Sequence, residues 1–355
     1  MHGREAACIL FSDMLTLILI VCAGLLGLWI FWPKIGLLAR WTQARLLAAR
    51  SQQEDVLKHV LKCEANNQPP SIHSVAGVLG ISSNRAADLL SSMEARGLIS
   101  HQDGCLHLRP SGRELAVHVV RAHRLWESYL AEQTGVAEAE WHPQAERQEH
   151  LLSPQQAEAL AAQLGHPLRD PHGDTIPAAG EELKSDVGQP VNAASLNVPL
   201  LIAHIEDEPE TIFAQLSALG LRPGMKACVK EKSPREVQLW ADGREYKLSP
   251  ILANNIAVLP LPEVRTEDLF GEEFLDHLKP GEQAKVVALS PACRGPERRR
   301  LLDLGFVPGT LVEVEMNSPM RDPVAYRVRG SIIALRSEQA RLIQIAREAT
   351  ASAPA

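Results

Sequence analysis

The segment WHPQAERQEH, from Trp141 to His150, constrains the fold of this chain more than any other segment. Three of its side chains, Glu146, Glu149 and His150, stand at positions i, i+3 and i+4. A helix with this spacing carries two carboxylates and an imidazole on one face. Such a face is either solvated or turned toward a second helix that completes a site for a metal ion.

The preceding segment offers that second helix. His123 and Glu127 are again four residues apart, and Pro143, a favoured first residue of a helix, places His142 at the start of the following helix. Oxygen and nitrogen donors without thiolate suit Mn²⁺ or Fe²⁺ better than a structural zinc. If the two helices pack together, they form a metal site. The alternative is a pair of solvated helix faces, because Glu and His also meet at this spacing by chance.

Three motifs in this region, in this order, resemble the metal-binding and dimerisation domain of the diphtheria toxin repressor family, which includes iron-type and manganese-type members. The motifs are RAHRLWESYL from Arg121, AERQEHLLS from Ala145 and LGHPLRDPHGDTIP from Leu164. The resemblance extends without a break from Gln52 to Pro177. It implies a homodimer, with a metal-binding and dimerisation domain over residues 121–177.

The resemblance also implies two sets of metal ligands. The positions that match the primary site are Asp55, Glu146, Glu149 and His150. The positions that match the ancillary site of iron-type members are His123, Glu127 and His142. A metal bridging Asp55 to Glu146 would lock the DNA-binding module against the dimerisation helices and so shift the population toward that arrangement. Carboxylates at these two positions are manganese-like, but Lys58 replaces a carboxylate of manganese-type members, so the preferred metal stays open.

Residues 52–120 show the pattern of a winged helix-turn-helix DNA-binding domain. Ser71 can cap a short helix that ends at Gly80, and Ser82 can cap a second helix, which precedes a turn at Asp103-Gly104 between two short strands. The start of the second helix would enter the major groove of a double-stranded DNA operator. The predicted contacts are Ser82, Ser83, Asn84 and Arg85, with Arg85 as the base reader. The alternative is a winged helix that docks a protein, because the module is only weakly basic.

The segment Met14–Trp32 carries no charged residue and would rise about 28 Å as a helix, close to the hydrocarbon thickness of a bilayer. Basic residues follow it, which by the positive-inside bias places the later domains in the cytoplasm. We therefore predict a single-pass transmembrane anchor over residues 1–35 and a cell-membrane localisation. The sequence WPKIGLLAR from Trp32 resembles the cytoplasmic exit of the last helix of metal-ion ABC permeases, which suggests a permease as partner.

The C-terminal half contains an internal repeat. LSALGLRPGMKACV from Leu216 and LLDLGFVPGTLVEV from Leu301 share the frame L-x-x-L-G-x-x-P-G. Each copy predicts a short helix, a Pro-Gly turn and a strand. We predict two small β-barrels, over residues 198–262 and 278–347. The second resembles FeoA, the cytosolic partner of the ferrous-iron transporter FeoB, which suggests a FeoB-like transporter as another partner.

Composition sets further limits. The 355 residues suffice for several domains, and a formal net charge of −7 argues against a general coat for polyanions while leaving room for one DNA-binding face. The six cysteines include no CxxC pair, which fits a reducing cytosol. The predicted fold class is α+β multidomain: a transmembrane helix, a winged helix-turn-helix, an all-α metal domain and two small β-barrels.

The function that these patterns and resemblances imply is a membrane-tethered, homodimeric, Mn²⁺- or Fe²⁺-dependent repressor of metal uptake genes. One alternative is a metal-sensing regulatory subunit of a membrane manganese, iron or zinc transporter, which the anchor and the FeoA-like segment favour. A second alternative is a metallohydrolase built on the same His and Glu side chains. The sequence offers no nucleophile and no H-E-x-x-H pattern for it, so we expect no enzyme.

Overall fold

The computed structural model describes residues 29, 36–102, 104–178, 180, 181, 183, 188–262, 264, 273–318 and 322–347. The chain divides into two compact units, Met1–Ala116 and Val117–Ala355. Helices and sheets both contribute to it, as the α+β class requires.

The predicted localisation at the membrane is wrong. Within the ranges described, no helix is both long enough and apolar enough to cross a bilayer. Helix α1 (Leu37–Ala65) has the length, with 29 residues, but it carries Arg40, Arg45 and Arg50, and charged side chains are costly in hydrocarbon. The predicted span Met14–Trp32 lies outside the described residues, apart from Trp29.

The first unit is a helix-turn-helix followed by a hairpin. Its elements are α1, α2 (Ile72–Leu79), α3 (Ser83–Ala95), β1 (Ile99–Gln102) and β2 (Cys105–Leu108). The predicted caps are present: Ser71 closes a capping box with Ser74, Gly80 ends α2 in the left-handed region at φ 61°, and the Ser82 hydroxyl accepts from the Arg85 amide. The capped helices bury an apolar core that includes Leu57, Leu61, Val75, Met93 and Leu106.

Three further helices precede the sheets. They are α4 (Pro110–Gln133), α5 (Trp141–Glu149) and α6 (Pro154–Gln163), with a 3-10 turn at Glu138–Glu140 before α5. Ser153 caps α6 through a capping box with Gln156. The apolar faces of α4 and α6 meet at Leu125, Ala157 and Leu160. This packing leaves the polar face of α4 turned toward α5.

Two six-stranded sheets follow. The strands of the first are β3 (Gln189–Pro190), β4 (Pro199–Ile205), β5 (Lys226–Lys232), β6 (Val237–Ala241), β7 (Arg244–Leu248) and β8 (Ile256–Pro260). Those of the second are β9 (Glu273–Phe274), β10 (Gln283–Leu289), β11 (Leu311–Asn317), β12 (Val324–Val328), β13 (Ser331–Leu335) and β14 (Ile343–Ala346). Two helices connect strands of the first sheet, α7 (Glu210–Leu219) and α8 (Pro250–Asn254). Two others connect strands of the second sheet, α9 (Gly295–Asp303) and α10 (Ser337–Ala340).

The two sheets are copies of one unit, as the sequence repeat predicts. Their strand orders, β3-β8-β4-β5-β6-β7 and β9-β14-β10-β11-β12-β13, are the same in relative terms. Even the irregularities repeat: the pairing shifts between Val229 and Glu231 in the first sheet and between Val314 and Met316 in the second. A repeated bulge at the same place shows that the internal repeat is structural.

The prediction of closed barrels is wrong. In the parts of both sheets that the structure describes, the chain of paired strands ends at β3 and β7 and at β9 and β13, and these ends do not pair with each other. Closure requires a strand tilt and stagger that bring the edge strands together, and the alternation of apolar residues along a strand does not specify either. The repeat therefore predicted the copies correctly but not their closure.

Candidate metal centre

Helices α4 and α5 bring the three predicted ancillary ligands together. His123 and Glu127 lie one turn apart on α4, and His123 Nε2 is 3.1 Å from Glu127 Oε1. His142, near the start of α5, places Nδ1 3.2 Å from the same oxygen. One ligand atom from each of the three residues lies within 4.8 Å of the others. Glu127 is thus the centre of the group, with an imidazole on either side.

The group is buried, which makes its charges expensive unless they are paired. Glu127 is 1% exposed and His123 5% exposed. Burial alone would raise the pKa of Glu127, but the charge of His123 and hydrogen bonds from His123 and His142 hold that pKa far below its ordinary value. Glu127 is therefore an anion at neutral pH and ready to bind a cation.

His142 supplies a positive charge. Burial acts to lower its pKa, but hydrogen bonds to Asp207, Glu127 and Glu146 outweigh burial and raise the pKa to about 12. A protonated imidazole in this position neutralises the carboxylates around it. A metal ion bound to His142 must displace that proton.

Two further residues of the centre were missed by sequence reasoning. Asp207 Oδ2, from the loop after β4, lies 3.0 Å from His142 Nδ1. His172 Nε2 lies 3.7 Å from Glu127 Oε1, and Glu127, His172 and Asp207 form a second group that could hold an ion. His172 stands in the motif LGHPLRDPHGDTIP, which was recognised as a motif only. Asp207 stands in an acidic run without helical spacing, so the sequence does not single it out. Only the folding of the first sheet brings it close to α5.

The environment of His172 indicates that the residues of this centre fit a metal ion. Its Nε2 is buried and finds no hydrogen-bond partner among the described residues. A buried imidazole nitrogen without a partner is costly, and ligation is one of the ordinary ways to satisfy it. The surrounding donors are carboxylate oxygens and imidazole nitrogens, which fit Mn²⁺ or Fe²⁺. The donor set thus fits the predicted ions.

The predicted primary ligands are placed differently from one another. Glu149 is 2% exposed and accepts a hydrogen bond from His123 Nδ1, and His150 Nε2 lies 3.6 Å from Glu149 Oε1. The Glu146 side chain is 56% exposed and meets His142 Nε2 at 3.5 Å. Asp55 lies half-buried on α1 in the other unit. Its membership of a site with Glu149 and His150 stays a prediction.

The predicted DNA contacts share one location. Ser82, Ser83, Asn84 and Arg85 are all exposed, and they form the N-terminus of α3. The Ser83 hydroxyl lies 3.4 Å from His73 Nδ1 of α2. The N-terminus of a helix carries partial positive charge and free amide groups, so it is suited to approach a phosphate backbone.

Metal binding is expected to release protons and to strengthen as the pH rises. Because the pKa of His142 is about 12 without metal, the imidazole is protonated throughout the neutral range, whereas Glu127 carries no proton to lose. Each proton that the metal displaces makes the affinity rise about tenfold per pH unit. Calorimetry of Mn²⁺ binding in two buffers of different ionisation enthalpy measures the number released. Release of at least one proton by the wild type, and of about one fewer by His142→Gln, is expected; equal release by both would contradict the assignment.

Comparison with known proteins matches two segments to families. Residues 109–178 match the family described as iron dependent repressor, metal binding and dimerisation domain, and residues 274–347 match the FeoA domain. The chain is 30% identical over 216 residues to a diphtheria toxin repressor of Corynebacterium glutamicum, which covers 58% of this chain and 94% of that protein. It is similar in structure to a manganese-dependent transcriptional repressor in complex with manganese, with a TM-score of 0.54 and 27% identity over 59% of this chain and 99% of the other.

A shorter match concerns a different class of protein. Over 82 residues the chain is 40% identical to a probable metal transport system membrane protein of Chlamydia trachomatis. The match covers 23% of this chain and only 18% of that protein. Most of the transport protein thus has no counterpart in this match.

Proposed function

The chain belongs to the diphtheria toxin repressor family of metal-dependent transcriptional repressors, and we propose that it represses metal uptake genes when Mn²⁺ or Fe²⁺ is abundant. The observation that carries the proposal is the convergence of His123, Glu127 and His142 with Asp207 and His172 at one buried point. The matched family is described as iron-dependent and the similar solved structure as manganese-dependent, in agreement with the predicted cofactor. Because this family consists of repressors, the proposal includes no enzymatic activity.

In this proposal, Glu127, His123, His142, Asp207 and His172 hold a metal ion at the ancillary site. The ion supplies positive charge to a buried cluster of carboxylates, in place of the proton on His142. Its ligands come from α4, α5, the loop that contains His172 and the loop after β4. Binding would therefore stabilise the arrangement in which these four segments are close together.

The primary site is proposed to consist of Asp55, Glu146, Glu149 and His150. Glu149 supports this role because it is buried and hydrogen-bonded to His123, so one imidazole links the two sites. Asp55 lies on the same helix, α1, that packs on the helix-turn-helix. A metal bound to Asp55 would favour one position of the DNA-reading helix over others, which is the thermodynamic basis of metal-activated repression.

Two alternatives receive less support. One is a regulatory subunit of a membrane transporter. The match to a transport protein covers too little of that protein to carry the alternative. The other is a metallohydrolase, which is disfavoured because the relatives that cover most of their own length here are repressors.

Loss of Arg85 is expected to weaken operator binding and relax its base preference. Its side chain is exposed at the N-terminus of α3, where a recognition helix meets base edges. A side chain that reads a base contributes about 1–3 kcal/mol of discrimination. Footprinting of the metal-loaded dimer on promoters of metal transport genes, with wild type and Arg85→Ala, measures both effects. The control is Arg96→Ala, at the opposite end of α3.

The same assay tests the proposed function. Protection of these promoters should increase as Mn²⁺ or Fe²⁺ is added to the wild-type chain. If the wild-type chain binds Mn²⁺ or Fe²⁺ and no promoter is protected, the repressor function is rejected while the metal sites stand.

A further inference from the structure

A cavity of about 510 Å³ lies in the second unit, where the second sheet repeat approaches α4. One wall consists of Ser128 and Glu132 of α4 together with residues of the loop 164–171. The other wall consists of residues of the loop 291–294 and the first turn of α9. The volume falls within the range of cavities that bind small molecules.

The charges of this cavity are mainly positive. Arg169, Arg294 and Arg298 line it, against the carboxylates of Glu132 and Asp170. Asp170 is already engaged outside the cavity: its Oδ1 accepts from the backbone amides of His172 and Asp174, at 2.9 Å each. Its other oxygen lies 3.7 Å from Arg124 Nε. Three guanidinium groups therefore face one remaining carboxylate.

Arg294 is the most informative of the three. Its Nη1 donates to the Pro171 carbonyl at 2.9 Å and its Nε to the Pro291 carbonyl at 3.3 Å. Burial and then the neighbouring Arg222 lower the pKa of Arg294, and the carboxylates of Glu132, Glu138 and Asp170 offset this only in part. Carbonyl groups orient a guanidinium but do not neutralise it, and a partly buried cation in this position is stabilised by an anion.

The internal repeat brings two equivalent loops of opposite charge close to α4 or α5. In each repeat, the loop between its second strand and its first long helix reaches α4 or the helix beside it. In the first repeat that loop carries Asp207 to the cluster around Glu127. In the second repeat it carries Arg294, and a Cβ on the adjacent Gly295 would lie only 2.6 Å from the Ala131 carbonyl oxygen. The same loop thus presents a carboxylate in one copy and a guanidinium in the other.

We propose that the cavity is a binding site for a small organic anion, whose carboxylate or phosphate oxygens bind Arg294 and Arg298. Leu164, Pro167 and Pro171 form an apolar part of the wall, suited to the carbon skeleton of such a molecule. The anion site is separate from the metal sites and is open to test without metal. The first repeat then contributes to a cation site and the second repeat to an anion site.

Calorimetry on the metal-free full-length chain tests this proposal, with succinate and inorganic phosphate as probes. We expect at least one of them to bind with a Kd below about 1 mM, and the stronger one identifies the carboxylate or phosphate chemistry. Arg294→Gln and Arg298→Gln should each weaken binding at least about tenfold, because each removes a charge-assisted hydrogen bond. Arg298 is included because Arg294→Gln also removes the bond to Pro171. The control Arg300→Gln removes an exposed arginine of α9 that does not line the cavity and should bind like the wild type.

Two results would overturn the proposal. One is no binding of either probe to the wild-type chain. The other is equal affinity in the wild type, Arg298→Gln and Arg300→Gln, which would mean an adventitious ion only. Neither result bears on Mn²⁺ binding, so failure of the anion site is distinguishable from failure of the metal site.

Discussion

Glu127→Gln is expected to bind Mn²⁺ at least about 100-fold more weakly than the wild type, because loss of a residue that only orients a ligand already costs about 10- to 100-fold. The substitution preserves the shape of the side chain and removes the charge to which His123, His142 and His172 all point. Calorimetry of Mn²⁺ binding measures the affinity. The control Glu140→Gln removes an exposed carboxylate just before α5 and should leave the affinity unchanged.

The same variant should also be less stable without metal. Glu127 pairs with a protonated His142, and breaking a buried ion pair by removing one partner costs about 3–5 kcal/mol. Denaturant unfolding in the presence of a chelator measures this loss in the free energy of unfolding. Wild-type affinity for Mn²⁺ together with wild-type stability would show that Glu127 is not at the centre of the site.

The double variant Glu149→Ala with His150→Ala is expected to abolish metal-enhanced protection of DNA. Glu149 is buried at the last turn of α5 and holds His123 through a hydrogen bond, so its loss affects both proposed sites. The other carboxylate of that turn, Glu146, is 56% exposed and lies against His142 instead. Metal-titrated footprinting measures the effect.

The matched control changes the two residues that precede this pair, Arg147→Ala with Gln148→Ala, within the same turn of α5. It should retain metal-enhanced protection, because neither side chain is among the proposed ligands. Circular dichroism should show equal helix content in both double variants. Protection that still responds to Mn²⁺ and Fe²⁺ after loss of Glu149 and His150 would refute the ligand assignment.

Local patterns predicted local structure well. The caps at Ser71, Ser82 and Ser153 depend on side chains within three residues of the amides they satisfy, so a short stretch of sequence is sufficient to specify them. The i, i+4 pair His123 and Glu127 is a property of one helix. The internal repeat was also visible, because both copies share one sequence frame. The two sheets adopt one strand order, as that frame predicts.

Two predictions about larger-scale organisation, the membrane localisation and the closed barrels, are wrong. The membrane localisation was inferred from the length and lack of charge of Met14–Trp32 and from the basic residues that follow it. Closed barrels were inferred from strand patterns, which do not encode how the edge strands β3 and β7 are placed.

The sequence by itself identified three side chains of the metal centre and the helices that carry them. His123 and Glu127 were candidates because they are four residues apart, His142 because Pro143 places it at the start of a helix, and the family resemblance grouped the three. Only the tertiary structure decided that Asp207 and His172 join them, that Glu149 is buried against His123 and that Glu146 is exposed. The physical reason is that burial and approach depend on how α4, α5 and the first sheet pack. That packing is the sum of many weak contacts between residues far apart in the chain.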